Sequence, residues 1–466
     1  MYKKLIIVML IVLGAFTTFF LYRTYAYDTS VVEDTPTTTD KAYTFKIGNS
    51  SIKQIKLETG ETKYFDIVLS NPNNAKISYS IYYEMVSPTT KPDGFGIGYT
   101  SKSTGTSTGK VDKNGNITLS IEASNTSSSA VTVKIGTVAG YVKGGELTLG
   151  SGQVVIPKKL TASEYVMSLD DGTTGNDGSG VYKVTHSAIP ASSSATGSEI
   201  PAVTDYRYYG PSPNNYICLD MEGGSTCPDK HLYRIIGSIY EEKENTNRIK
   251  VIKATPLEND STITYAWDSG NVNIWATITD GNYSNSLTNG ASLMKLLNSG
   301  DWWNRTNTYA NYGLTEKAKS YITTSRYYLG GYNNNPLITN EMYGYERGTL
   351  RYNTDRPLYW EGMVGLMYPS DYGYAAGNTC VNGTKLHDYD GGCKNKDWLY
   401  ISNTYQWLMS PYSGDSLDAF YVRSSGFVYY DDDVNYPRSA RPVFFLNSNV
   451  NISEGEGTSA APYILS

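Results

Sequence analysis

Lys76-Ile77-Ser78-Tyr79-Ser80-Ile81-Tyr82-Tyr83 sets apolar or aromatic side chains at every second position with serines between them. A period of two puts one set of side chains on one face of an extended chain, so this stretch reads as a strand with one buried side. Tyr64-Phe65-Asp66-Ile67-Val68-Leu69, Ile117-Thr118-Leu119-Ser120-Ile121 and Val131-Thr132-Val133-Lys134-Ile135-Gly136 repeat the pattern. Between them lie Asn71-Pro72-Asn73-Asn74, Pro92-Asp93-Gly94 and Lys113-Asn114-Gly115-Asn116. These are turn sequences, because Gly and Asn tolerate positive φ and Asn and Asp bond their own backbone. Short strands at such spacing over residues 43–158 predict a β-sandwich of immunoglobulin-like (Ig-like) type. The Cys…Trp…Cys core of antibody domains is missing from it.

The rest of the chain has the same bias. Among its 466 residues there are 44 Gly and 43 Tyr and only 18% charged side chains, which points to a mainly β protein with room for two or three domains. Net charge is -6, so there is no basic excess to neutralise phosphates, and nucleic acid is not an expected partner. The three histidines, His186, His231 and His387, are far apart, which removes most of the case for zinc sites and histidine-based triads.

Leu5 to Tyr22 is an uncharged, apolar run preceded by Lys3 and Lys4, long enough as a helix to cross about one bilayer core. The flanking charges keep its N-terminus cytoplasmic and export the remainder. The reading is a membrane helix within residues 1–27 that anchors the chain, with cleavage near Thr24-Tyr25-Ala26 and secretion as the alternative. Residues 28–42 read as a stalk and residues 159–204, rich in Asp, Gly and Ser, as a flexible linker. In an oxidising compartment the cysteines pair as Cys218–Cys227 and Cys380–Cys393.

Residues 205–466 hold all seven tryptophans. Tyr233–Gly237 and Ile249–Lys253 read as a hairpin with a charged tip at Glu241–Glu244. Ala291–Asn298 reads as a helix facing inward through Leu293, Met294, Leu296 and Leu297. A second helix is expected over Glu316–Thr324, with Thr315 as its N-cap. Strands with few helices predict an α+β domain.

Several motifs also resemble known families. Arg23-Thr24-Tyr25-Ala26-Tyr27 resembles the signal-peptide ends of exported Gram-positive fibre proteins of the camelysin type. Glu58-Thr59-Gly60-Glu61, Tyr64–Ile67 and Ser70-Asn71-Pro72-Asn73 resemble the Ig-like spacers of bacterial surface proteins. Tyr206-Arg207-Tyr208, Leu366-Met367-Tyr368-Pro369-Ser370-Asp371, Trp407-Leu408-Met409-Ser410-Pro411 and Ala440-Arg441-Pro442-Val443, with the Gly455-Glu456-Gly457-Thr458 tail, resemble a family of gut Firmicute surface proteins whose domain has no assigned function. The order Trp407…Ser410-Pro411…Val422…Gly426…Arg441-Pro442 is similar to that of C-type-lectin-like domains of the formylglycine-generating-enzyme type. That resemblance implies a C-type-lectin-like fold over residues 205–466 and a ligand surface at Tyr405–Tyr436. The copper-site cysteine pair of the oxidase has no counterpart, because each cysteine has a nearer disulfide partner, so binding is implied and oxidation is not.

Within Tyr405–Tyr436, Trp407 and Tyr421 read as core. Tyr412, Tyr429, Tyr430 and Tyr436 are the candidate contact rings, since tyrosine offers rigid contact area at low entropy cost. Asp431, Asp432 and Asp433 stand beside them as a solvated hairpin tip or ligand contacts, and Asp415, Asp418 and Asp431 are the candidate Ca²⁺ ligands. No P-loop, dinucleotide fingerprint or GxSxG motif occurs, and no other cofactor is implied. The expectation is an anchored extracellular protein that binds a glycan or surface protein and is not an enzyme. The alternatives are a glycan hydrolase using Asp carboxylates and a fibre or sheath subunit.

Overall fold

The computed structural model describes residues 31–33, 42–46, 52–257, 265–268 and 291–465, except 101, 142–146, 173–174, 176–177, 353, 355, 390 and 416. The chain divides into two units, Met1–Leu160 and Thr161–Ser466. It is mainly β, with 38% of residues in strands against 16% in helices.

In the first unit Glu61–Ser70 pairs antiparallel with Asn116–Asn125 along its whole length, from Glu61↔Asn125 to Ser70↔Asn116. Phe95–Tyr99 and Ala42–Lys46 complete that sheet. The second sheet runs Val31–Glu33, Ile52–Leu57, Val131–Tyr141, Ile77–Ser87, Gln153–Val155, with Thr108–Val111 also on Ile77–Ser87. The alternation read from the sequence closes the sandwich. Phe65, Ile67, Leu69, Leu119 and Ile121 from one sheet meet Ile55, Leu57, Ile77, Ile81, Val133 and Ile135 from the other in one core. This β-rich architecture fits the Ig-like expectation.

Asn71 is buried, with Nδ2 donating to the carbonyls of Ala75, Val111 and Asp112 and Oδ1 accepting from Asn73 N. Asn114 takes φ +56° at the predicted Lys113–Asn116 turn. The stalk reading is corrected in part, because Val31–Glu33 pairs in parallel with Ile52–Gln54. The apolar run Leu5–Tyr22 lies outside the described residues, and among those described no helix is long and apolar enough to cross a membrane.

The second unit is built on a nine-stranded sheet. Its main order is Ile322–Thr323, Val443–Leu446, Thr246–Lys253, Leu232–Glu241, Tyr216–Cys218, Tyr463–Leu465, Ile452–Glu454. The predicted hairpin is the antiparallel pair Leu232–Glu241 with Thr246–Lys253, bulged between Ile235 and Gly237. A Cβ at Gly237 would sit 2.3 Å from the Tyr206 carbonyl oxygen, so the neighbouring strand can approach only a glycine there.

Residues 159–204 are not a flexible linker. Thr161 caps the helix Ala162–Ser168 in a capping box with Glu164. Gly180–His186 then pairs residue for residue with Val203–Tyr209, which joins Leu232–Glu241. Loop-forming Ser, Gly and Asp around this strand dominate the composition, while Val181, Tyr182 and Val184 are buried.

The helix expected over 316–324 stops at Ser320, because Ile322 and Thr323 pair instead with Leu446 and Phe445. Its Thr315 cap and the helix Ser292–Asn298 are as read, with Leu293, Met294 and Leu297 buried. Both predicted disulfides are present, Cys218–Cys227 and Cys380–Cys393.

Candidate functional site: an aromatic and guanidinium ladder

Gln406–Pro411, Asp418–Val422 and Val428–Asp433 form a separate antiparallel three-stranded sheet. Gly426, at φ +97°, turns the chain between the last two strands. The pairing Ala419↔Asp432 is followed by Tyr421↔Tyr429, so a bulge inserts one extra residue in the Tyr430-Asp431 strand and reassigns side chains between faces.

On one face Tyr421 stands beside Tyr429. Arg423 lies 3.8 Å above the Tyr429 ring and 5.9 Å from that of Tyr421. Arg438 lies 4.7 Å from the Tyr405 ring, 5.7 Å from Tyr421 and 5.8 Å from Tyr436. Tyr429, Arg423, Tyr421, Arg438, Tyr405 and Tyr436 therefore make a continuous ladder of rings and guanidinium planes.

Both cations are already paired. Arg423 Nη2 donates to Asp431 Oδ2 at 2.9 Å, with Tyr421 Oη donating to Asp431 Oδ1 at 2.7 Å, and Arg438 Nε donates to Asp432 Oδ2 at 2.6 Å. Tyr405 and Tyr436 are 41% and 48% exposed, so the ladder ends in open, flat, polar-edged rings.

On the other face Tyr412 stacks on Tyr430 with ring centroids 4.1 Å apart, and Phe420 packs edge-on against both. Tyr412 Oη donates to the Asn333 carbonyl, and burial followed by the Tyr430 contact pushes its phenol up to about 12.

The expected contact rings therefore divide. Tyr436 is open, Tyr429 is half-buried under Arg423, and Tyr412 and Tyr430 are half-buried against each other. Trp407 and Tyr421 are core as expected. The two half-buried arginines were not read as partners of the rings, and Tyr405, a candidate ring of the Tyr405–Tyr436 segment, was not placed among the four expected to be exposed. The signal for Arg423 was its place two residues after Tyr421, which in a strand puts both on one face.

The aspartate run is part of a strand, not a solvated tip, and Asp432 is buried. Asp433 sits opposite Asp418 across the strands. Burial, then Asp415 and Asp433, push the Asp418 carboxyl up to about 6. With Asp431 committed to Arg423, the set Asp415, Asp418 and Asp431 does not come together, and among the described residues no group of three acidic, histidine or cysteine side chains is placed to hold a metal.

Neither a family model nor a curated protein matches the chain. Among solved structures, the crystal structure of Aeromonas hydrophila PliG, a periplasmic lysozyme inhibitor of g-type lysozyme, is similar over 22% of this chain and 99% of that one. Identity is 12% and the TM-score 0.11, which carries no argument about fold or function.

Proposed function

We propose that this is an exported, membrane-anchored surface protein whose second unit binds a glycan or a surface protein through the open end of the ladder. The observation that carries the reading is the pairing of exposed Tyr405 and Tyr436 with an Arg438 whose charge is already met by Asp432. A neutralised cation fixes the rings without demanding an anionic partner, so the surface offers aromatic area and polar edges at little further ordering cost. A sugar ring or a polar protein epitope fits that chemistry. The Leu5–Tyr22 run supplies the membrane attachment in this reading, and the C-type-lectin-like resemblance of residues 205–466 agrees with a binding role.

The test is an array of glycans and surface proteins probed with the purified chain, with and without Ca²⁺. Retained ligand lost in a Tyr405→Ala/Tyr436→Ala variant supports the proposal. The hydrolase alternative rests on Asp418 and its neighbours, and glycan turnover abolished by Asp418→Asn would favour it instead.

A further inference from the structure

Lys250, on strand Thr246–Lys253, and Asp371, on helix Pro369–Ala375, are both 2% exposed and 121 residues apart in sequence. Lys250 Nζ lies 2.5 Å from Asp371 Oδ2. The ammonium has three donors, yet its other near neighbours are the ring faces of Tyr368 at 4.6 Å and Phe445 at 5.5 Å. The carboxyl is better supplied. Oδ1 accepts from Arg207 Nη1 at 3.0 Å and Oδ2 also accepts from Tyr368 N at 3.0 Å. Arg207 has a second carboxylate of its own, since its Nη2 and Nε donate to Asp205 Oδ2 at 2.7 and 3.1 Å.

We propose that Lys250 Nζ and Asp371 Cγ condense into an intramolecular amide crosslink. The buried pair holds every atom the reaction needs. Proton transfer from the ammonium to Oδ2 along their contact gives amine and carboxylic acid. The Nζ lone pair then attacks Cγ, forming the C–N bond. Negative charge that develops on Oδ1 is met by Arg207 Nη1, an arrangement of the oxyanion-hole kind. Oδ2 leaves with its proton and one from Nζ, so the products are one amide N–H and one water, with no net gain or loss of protons or electrons.

The surroundings act on that first transfer from both sides. Burial lowers the Lys250 ammonium from its ordinary range and eases loss of its proton. Burial of the Asp371 carboxyl is outweighed by Lys250 and Arg207, which hold it below its ordinary range and oppose gain of a proton. It is the direct contact of the two groups in a dry site that carries the step. Two charges are removed from a dry site, and an ammonium with one oxygen acceptor is replaced by a planar amide with one donor. Asp205 stays paired with Arg207 after the reaction, so no charge is orphaned by it.

The experiment is intact-mass measurement and peptide mapping of the purified full chain under reducing conditions, beside Lys250→Arg. The expected result is a chain lighter by one water, a branched peptide joining the Lys250 and Asp371 segments, and neither feature in the variant. Two separate linear peptides at full mass overturn the proposal. So does a water deficit without the branched peptide, or one that persists in Lys250→Arg. The wild-type map decides the matter even if the variant does not fold.

Discussion

Replacing Arg438 by alanine tests whether the ladder is held together as its geometry indicates. Arg438 and Asp432 are 21% and 12% exposed at their side chains. Opposite charges about 4 Å apart at an effective dielectric near 20 attract by about 4 kcal/mol. Partial exposure and the desolvation of both groups cut this to about 2 kcal/mol. The nearest ring, Tyr405, is 4.7 Å away, and the two further rings lie near the limit of useful contact, which adds about 1 kcal/mol. Arg438→Ala should therefore cost about 3 kcal/mol, and only about 1 kcal/mol when Asp432→Ala is already present.

The pH dependence has a definite sign. Burial raises the Asp432 carboxyl from its ordinary range and Arg438 pulls it back down. Without the arginine the folded state binds a proton that the unfolded state releases above about pH 4. The variant should then lose further stability as pH rises from there and regain it on acidification.

All seven tryptophans lie in the second unit, so urea unfolding followed by selectively excited tryptophan fluorescence reports that unit without interference from the first. Single-variant costs that add within about 0.5 kcal/mol in the double variant would refute the coupling.

Four further outcomes are expected. Replacing the Cys218–Cys227 or Cys380–Cys393 pair by alanine should lower stability by about 3 kcal/mol each by the loop-entropy relation, read from the same fluorescence transition. The Asp418 carboxyl, raised to about 6, keeps its proton longer in the folded than in the unfolded state. Stability should thus fall as pH rises from about 4 to 6, by about 1 kcal/mol after allowing for solvent screening, and Asp418→Asn should flatten that slope in pH-dependent urea titrations. Asn125 is fully buried, with Nδ2 donating to the Leu57 and Ser129 carbonyls, so Asn125→Ala should cost the first unit about 2 kcal/mol. That loss should show in circular dichroism or hydrogen exchange and leave tryptophan fluorescence unchanged. Tyr412→Ala/Tyr430→Ala, which breaks the stack, should lower stability by about 1–3 kcal/mol in the urea transition.

The sandwich was legible because residues at period two, such as Ile77, Tyr79 and Ile81, are buried where the pattern put them. Compartment reasoning likewise reached both disulfides. Residues 161–204 were misread because composition averages over loops hide one seven-residue strand, Gly180–His186, whose partner Val203–Tyr209 fixes it. The end of the helix at Ser320 was hidden for a related reason, since tertiary pairing of Ile322 with Leu446 overrides a weak local preference.

At the candidate site the tyrosines were visible, and the alternation of adjacent strand residues turns Tyr430 toward Tyr412 while Tyr429 meets Arg423. The bulge at Ala419–Tyr421, which no local pattern announces, breaks that alternation further along, where the adjacent Asp431 and Asp432 meet Arg423 and Arg438. Arg438 reaches Tyr405 from 33 positions along the chain, a contact that period-two reasoning within one strand does not supply.

The most direct test of the recognition surface is a calorimetric titration of an array-identified ligand into the wild-type chain, Tyr405→Ala/Tyr436→Ala, and Tyr64→Ala as an exposed control in the first unit. The account predicts affinity weaker by about 10–100-fold in the double variant, with stability lowered by no more than about 1 kcal/mol from the lost Arg438 contacts and an unaffected control. Equal affinity for all three proteins would contradict it.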